Sequence, residues 1–211
     1  MGRVIGSVKT YTGGPVGCNG YLVQGPEGFV AVDAPLGMAR WVATQLPEGG
    51  KLTHLLLTHQ HFDHVDDVAA VQERFGCRVV GMQAYSRTLT LEESVGNWGL
   101  PPVQPYTVDE VLGGSVFDAV WGGMSWEAYA IPGHSPDGAA YYLKEAECVF
   151  VGDILFAGSV GRTDFPGGSM STLVRGIREK LLKLSPHTEV YSGHGPSTCI
   201  GEEMLNNPYI A

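Results

Sequence analysis

Along the first eighty residues, short apolar blocks are separated by glycine, proline and acidic residues. "RVIGSVKTY" and "NGYLVQG" are rich in β-branched or aromatic residues, which predicts strands. "PEG" at 26–28 predicts a turn into a third strand, "FVAVDAP". "MARWVATQL" (38–46) sets Met38, Trp41, Val42 and Leu46 at helical spacing. "HLLLTH" (54–59) is a continuous apolar run, as expected of a strand buried on both faces. "HVDDVAAVQERF" (64–75) predicts a helix with Val65, Val68, Ala69 and Phe75 inward, and "CRVVGM" a further strand. Between 83 and 110, "NWGLPPVQPY" carries three prolines in ten residues and cannot be regular. A flap over a site and a plain surface connection both fit that segment.

The second half predicts strands at "VFDAVWGG", "WEAYAIPG", "GAAYYLK" and "CVFVGD", an amphipathic helix at "MSTLVRGIREKLLKL" (170–184), and a last strand at "TEVYSGH". "TCIGEEMLNNPYIA" follows it. Strands, helices, strands, helix, strand is the order of two sheets covered by helices.

A chain of 211 residues, 44% apolar and 17% charged, supports one large domain with a sizeable core. The net charge of −9 argues against a nucleic-acid partner, which would need a basic face. No run approaches the roughly 18 apolar residues of a membrane span, and the N-terminus has no signal-like apolar stretch. Cys18, Cys77, Cys148 and Cys199 are scattered and form no C-x-x-C pair. Free thiols in a reducing, cytoplasmic compartment are therefore expected, away from membranes.

The chemistry concentrates where strands end. "HLLLT" is followed by His59, His61, Asp63 and His64; "WEAYAIPG" by His134; "CVFVG" by Asp153; "TEVYSG" by His194. Strand ends join rigid scaffold to accessible loop, so convergent ligands belong there. A glycine precedes three of them, at Gly133, Gly152 and Gly193, and permits a sharp exit or a close backbone approach. His54 and His187 stand alone and read as exposed or hydrogen-bonded histidines. Imidazoles with a shared carboxylate suit zinc, iron or manganese better than calcium or magnesium. Five histidines and two aspartates exceed the needs of one ion and match two metals with one carboxylate between them.

His59-Gln60-His61-Phe62-Asp63-His64 resembles the H-x-H-x-D-H signature of the metallo-β-lactamase superfamily. "GHS" at 133–135, "GD" at 152–153 and "GHG" at 193–195 continue the family pattern in order. The resemblance implies an α/β, four-layer αββα sandwich over 1–211 as a single domain, with metals at the edge of the sheets. It implies that His59, His61 and His134 bind a first metal, that Asp63, His64 and His194 bind a second, and that Asp153 bridges. The two divalent ions would be zinc, with iron or manganese as alternatives, and Asp63 and Asp153 would orient a metal-bound hydroxide in catalysis. Asp33 matches an early buried aspartate that supports the site from behind; a plain strand-terminal aspartate is the other reading.

Asp153 stands where the best-known β-lactamases carry a cysteine, which turns the expectation away from antibiotic hydrolysis. "SVGRTDFPGG" (159–168) and "SGHGPSTCIGEEMLNNPYI" (192–210) resemble short glyoxalase II-like hydrolases, relatives of hydroxyacylglutathione hydrolase. That implies a small thioester substrate such as S-lactoylglutathione, handled without the C-terminal helical domain that helps full-length enzymes hold glutathione. The rival branch is a persulfide dioxygenase with one iron at positions matching His59, His134 and Asp153; a non-catalytic metal-binding partner protein is a third reading. Arg162 is the expected contact for a glutathione carboxylate, or else a brace paired with Asp164 or a loop carbonyl. Asp66 and Asp67 read as acidic residues at a helix start, favoured by its dipole, with an orientation toward the metals as the alternative.

Overall fold

A computed structural model of the chain describes residues 8–92 and 101–210. The first sheet runs β1 (Lys9–Gly13), β2 (Cys18–Gly25), β3 (Gly28–Val32), β4 (Leu52–Leu56), β5 (Arg78–Gly81) and β6 (Glu110–Val111), in that spatial order. Strands β1 to β3 are antiparallel neighbours, while β3 to β6 pair in parallel. Parallel neighbours need crossovers. They are supplied by α1 (Met38–Gln45) after β3, and by α2 (Phe62–Val65) and α3 (Val68–Phe75) after β4.

The second sheet is built from β7 (Val116–Trp121), β8 (Met124–Ala130), β9 (Ala139–Leu143), β10 (Cys148–Gly152), β13 (Glu189–Ser192) and β14 (Thr198–Cys199). Its spatial order is β14-β13-β10-β9-β8-β7. A small hairpin, β11 (Leu155–Phe156) with β12 (Ser159–Val160), leaves the end of β10. Helices α4 (Met170–Lys180) and α5 (Ile200–Asn206) complete the set.

Side-chain alternation makes the layers. In β3, Val30 and Val32 point between the sheets, where they meet Trp126, Tyr141 and Phe150 of the second sheet. Phe29 and Ala31 point the other way, onto Met38 and Val42 of α1 and Val68 and Val71 of α3. Outside the second sheet, Val149 and Val151 of β10 pack on Leu173 and Ile177 of α4 and Ile200 of α5. The result is the expected four-layer αββα sandwich. Each fully buried aliphatic side chain in these layers contributes about 1.5–3 kcal/mol.

The sequence predicted one helix over 64–75, and the chain forms two, broken at Asp66 and Asp67. Asp67 turns its Oδ2 to accept a bond from the Ala39 N–H at the start of α1 (2.6 Å), so the chain kinks to reach a neighbouring helix. The helix expected over 170–184 ends as α4 at Lys180 and tightens to a 3₁₀ turn over Leu181–Lys183. The strand expected over 54–59 stops at Leu56, because Thr58 N–H is drawn to Asp33 Oδ1 (2.8 Å) instead of a ladder. Of the segment left open at 83–110, residues 93–100 lie outside the described residues. Its described ends are anchored: Leu89, Leu91, Val103 and Tyr106 are buried, and Tyr106 Oη donates to Gln60 Oε1. All four cysteines are free, and among the described residues no helix is long and apolar enough to cross a membrane.

Candidate metal centre

The loops that leave β4, β8, β10 and β13 meet at one edge of the two sheets. Glycines make that convergence sterically feasible. Gly152 has φ +50°, and a Cβ there would strike Thr58. A Cβ on Gly193 would strike Asp153 Oδ1 and His64 Cε1. Gly133 (φ +136°) lies against the backbone of Leu173, and its carbonyl accepts from Ser169 N–H, the N-cap of α4. Helix α4 thereby fixes the loop that carries His134.

All seven sequence-predicted ligands come together. His59, His61 and His134 form one buried set, with His134 Nε2 2.9 Å from His61 Nδ1. Asp63, His64 and His194 form a second, with His194 Nε2 3.1 Å from Asp63 Oδ2. Asp153 lies between them. Its Oδ2 faces His134 Nε2 at 3.5 Å; its Oδ1 faces His64 Nε2 at 3.3 Å and His194 Nε2 at 3.6 Å. His54 and His187 stay outside: His54 bonds Thr53 and His187 is exposed.

The outer hydrogen bonds decide which way the ring nitrogens point. Asp33 accepts from Thr58 N–H and Thr58 Oγ1 (2.7 Å), and from His64 Nδ1 (2.7 Å). With its hydroxyl proton given to Asp33, the Thr58 oxygen is free to accept from His59 Nδ1 (3.2 Å). One carboxylate therefore sets the tautomer of a histidine in each set. His134 Nδ1 donates to the Arg162 carbonyl at 2.8 Å. These bonds consume the outer nitrogens and turn the Nε2 lone pairs inward. Asp33 holds its place with φ 55°, a left-handed conformation uncommon for a non-glycine residue and costing of order 1 kcal/mol.

The donors fit metal ions. Among the described residues, His59 Nε2, His64 Nε2 and Asp153 Oδ1 are buried and make no hydrogen bond. Buried polar atoms normally find one, and three orphans converging on one pocket leave room for cations as the missing partners. The electrostatics of the two sets differ. Burial and the neighbouring imidazoles push His59 well below the ordinary range and His61 down to about 3. Burial works against a charge on His64 and His194 as well. The Cys18, Asp63, Asp33 and Asp153 groups outweigh it at His64, and Asp63 and Asp153 outweigh it at His194, so both are raised. Burial opposes the charge of Asp63 and Asp153, yet the surrounding histidines hold both low.

Other residues found by sequence take more modest places. The Arg162 guanidinium is exposed and makes a two-point pair with Asp164 (2.7 and 2.6 Å) while lying 4.3 Å over the Phe165 ring. Asp66 is outside the ligand sets; burial, then Asp63, Asp67 and Glu92, push it up to about 7. Thr58 and Asn19 were not anticipated. Asn19 pins the His194 loop, through its N–H to Gly193 O and its Nδ2 to Ser192 O and Gly195 O. Phe165 and Phe156 set aromatic edges against His61 and His194 at the mouth.

Known proteins share this fold. The sequence profile of the metallo-beta-lactamase superfamily matches residues 13–194. The chain is 33% identical to hydroxyacylglutathione hydrolase GloC of Haemophilus influenzae over 90% of this chain and 91% of that one. It is 36% identical to the probable metallo-hydrolase YqgX of Bacillus subtilis over 93% and 94%. Among solved structures, BLEG-1 B3 metallo-beta-lactamase superimposes with TM-score 0.87 at 33% identity, covering 97% of this chain and 100% of that one. TTHA1623 in a di-iron-bound form gives 0.81 at 35%, covering 95% and 99%. ETHE1 from Myxococcus xanthus gives 0.78 at 26%, covering 96% and 83%.

Proposed function

The chain belongs to the metallo-β-lactamase superfamily, and from that premise we propose that it is a binuclear metallohydrolase cleaving thioesters of the S-acylglutathione class. The observation that carries the proposal is Asp153, whose two carboxylate oxygens face different ligand sets. Such a carboxylate suits two ions a few ångströms apart. A relative bearing the name hydroxyacylglutathione hydrolase is matched over 91% of its length, which supports the substrate class. The di-iron form of TTHA1623 supports the two-ion count and keeps iron beside zinc as a candidate.

His59, His61 and His134 would hold one ion, Asp63, His64 and His194 the other, and Asp153 both. Bound divalent ions supply Lewis acidity, bringing water toward a pKa of about 7 and polarising a carbonyl oxygen. The chain's own residues do the rest. Asp33 and the Arg162 carbonyl lock the imidazole tautomers, so no ring turns when the charge at the centre changes. Asp63 and Asp153, held ionised, keep two acceptor carboxylates beside the reacting centre to orient the hydrolytic water. Phe165 and Phe156 flank the mouth and limit water entry around an acyl group. Arg162 stands outside this centre, where it can reach a substrate carboxylate by exchanging Asp164.

The single-iron persulfide dioxygenase reading uses His59, His134 and Asp153 and leaves His61, Asp63, His64 and His194 without a task. The test is elemental analysis of protein purified without added metal, combined with three assays: thiol release from S-lactoylglutathione, oxygen uptake with glutathione persulfide, and opening of a β-lactam. Two ions per chain with thiol release is the expected result. One iron with oxygen uptake and no thioester cleavage would overturn the proposal. β-Lactam opening without thioester cleavage would move the substrate class to the one named for the similar structure, BLEG-1 B3 metallo-beta-lactamase.

A further inference from the structure

Cys18 opens β2 and is fully buried. A buried free cysteine is ordinarily a small apolar filler, and two others in this chain behave that way. Cys77 sits in the apolar cluster beneath α1 and α3, and Cys148 in the cluster between the sheets. Cys18 belongs to none of the apolar clusters. Its sulfur instead joins ligand atoms of Asp63, His64 and His194, all within 4.8 Å of one another. The thiol donates weakly to the carbonyl of Asn19 at 3.7 Å and also lies within hydrogen-bonding reach of His64.

Two further observations make this set a ligand site. His64 Nε2, in a side chain with no exposure, is unpartnered and aimed into the same set. The backbone around Cys18 is also tied to the His194 loop, through Asn19 and through Tyr21 Oη to the Ser192 carbonyl. Sulfur and imidazole are therefore held at fixed mutual position by different strands, which is what a rigid metal site requires.

We propose that Cys18 is a direct ligand of the second metal position, completing a Cys–Asp–His–His donor set with Asp63, His64 and His194. On binding, the S–H bond breaks, the proton passes to solvent, and the thiolate lone pair is given to the ion; no electron is transferred. A thiolate makes this position select zinc or another thiophilic ion over manganese or magnesium. The all-imidazole set around His59 has no such bias. The inference rests on the two-ion reading of the centre.

The experiment uses the full chain stripped with chelator and reloaded with cobalt(II). The wild-type protein should take two cobalt ions and show a near-ultraviolet thiolate-to-cobalt charge-transfer band. Cys18→Ser should lose the band, and Cys199→Ser, at the only other cysteine outside the apolar clusters, should keep it. Chelator competition should show zinc affinity at one of two sites weakened on the order of 10- to 100-fold in Cys18→Ser. Two bound cobalt ions without the band would overturn the Cys18 assignment and leave the binuclear centre standing. Fewer than two ions in the wild type would overturn both. If Cys18→Ser does not fold, the wild-type spectrum and Cys199→Ser alone decide.

Discussion

The two candidate ligand sets lie side by side but are different electrostatic environments. The set of His59, His61 and His134 is deeply buried imidazole, where rings repel one another's charge and are pushed toward neutrality. The set of Asp63, His64 and His194 mixes carboxylate with imidazole, and its histidines are pulled toward the charged form. His194 is only half-buried, so this second side faces solvent more than the first. The first set is thus a stiff, neutral cradle whose ligands are ready to bind without losing protons. The second must release protons to bind, and its occupancy should depend more on pH. What joins them is two carboxylates: Asp153 in front and Asp33 behind.

The largest effect should come from Asp153→Ala. If one carboxylate serves both sets, its loss should abolish turnover and reduce metal content from two ions toward none. Elemental analysis beside the thioesterase assay checks this. A variant keeping both ions and near-normal turnover would show that Asp153 joins nothing, and loss of one ion alone would show that it serves one set.

Asp33→Asn should come next. Asp33 bonds His64 directly and His59 through Thr58, one histidine from each set. An amide cannot accept from Thr58 Oγ1, Thr58 N and His64 Nδ1 as the carboxylate does. Metal affinity should fall on the order of 10- to 100-fold at both positions, read by chelator competition. Weakening at one position only would break the claim that the two sets share a common support.

The convergence of the seven candidate ligands was legible because each group of them lies just beyond an apolar strand, and the strands pair by rules that bring their ends to one edge. The layers were legible for the same reason: alternation in β3 and β10 leaves little choice of face. Thr58 and Cys18 were not legible. A threonine after "HLLL" and a cysteine before "NGYL" carry no periodic mark, and their places come from residues far along the chain: Asp33 for Thr58, and Asp63, His64 and His194 for Cys18. The break at Asp66 and Asp67 was hidden similarly. Periodicity in 64–75 is intact on either side, and only the tertiary contact with Ala39 shows why Asp67 leaves the helix.

The sets should also part in the pH dependence of metal-free stability. His61 titrates near 3 when folded against 6.5 when unfolded. As pH falls below 6.5 the unfolded chain takes a proton that the folded one refuses, so stability is lost from the first set between about 6.5 and 3. His64 and His194 are raised, so their contribution is fully present below 6.5 and is lost as pH rises through their folded values. Asp63 and Asp153 are held below 3.8, and their contributions fade only as pH falls below that value. Melting temperatures of chelated protein between pH 4 and 9 should therefore show the acid-side loss reduced in His61→Asn and the alkaline-side loss reduced in His194→Asn. The same profile in both variants would erase the distinction between the sets.

The smallest effect concerns a residue beside the first set that belongs to neither. Arg162 supports the first set with its carbonyl, on His134, while its side chain pairs with Asp164 and covers Phe165. Arg162→Ala keeps the carbonyl, so metal content should not change. If the guanidinium also receives a substrate carboxylate, KM for glutathione thioesters should rise by a factor of about five with kcat intact, a modest loss because the pair is solvent-exposed. A small thioester lacking the glutathione carboxylates should be barely affected. Asp164→Asn, which frees the fork, should lower KM for the glutathione thioester and sharpen the distinction between binding rim and metal centre. If Arg162 is only a brace for the 161–165 turn, Arg162→Ala should instead slow both substrates alike and lower the melting temperature, because a slackened turn would loosen His134 and carry the damage into the first set.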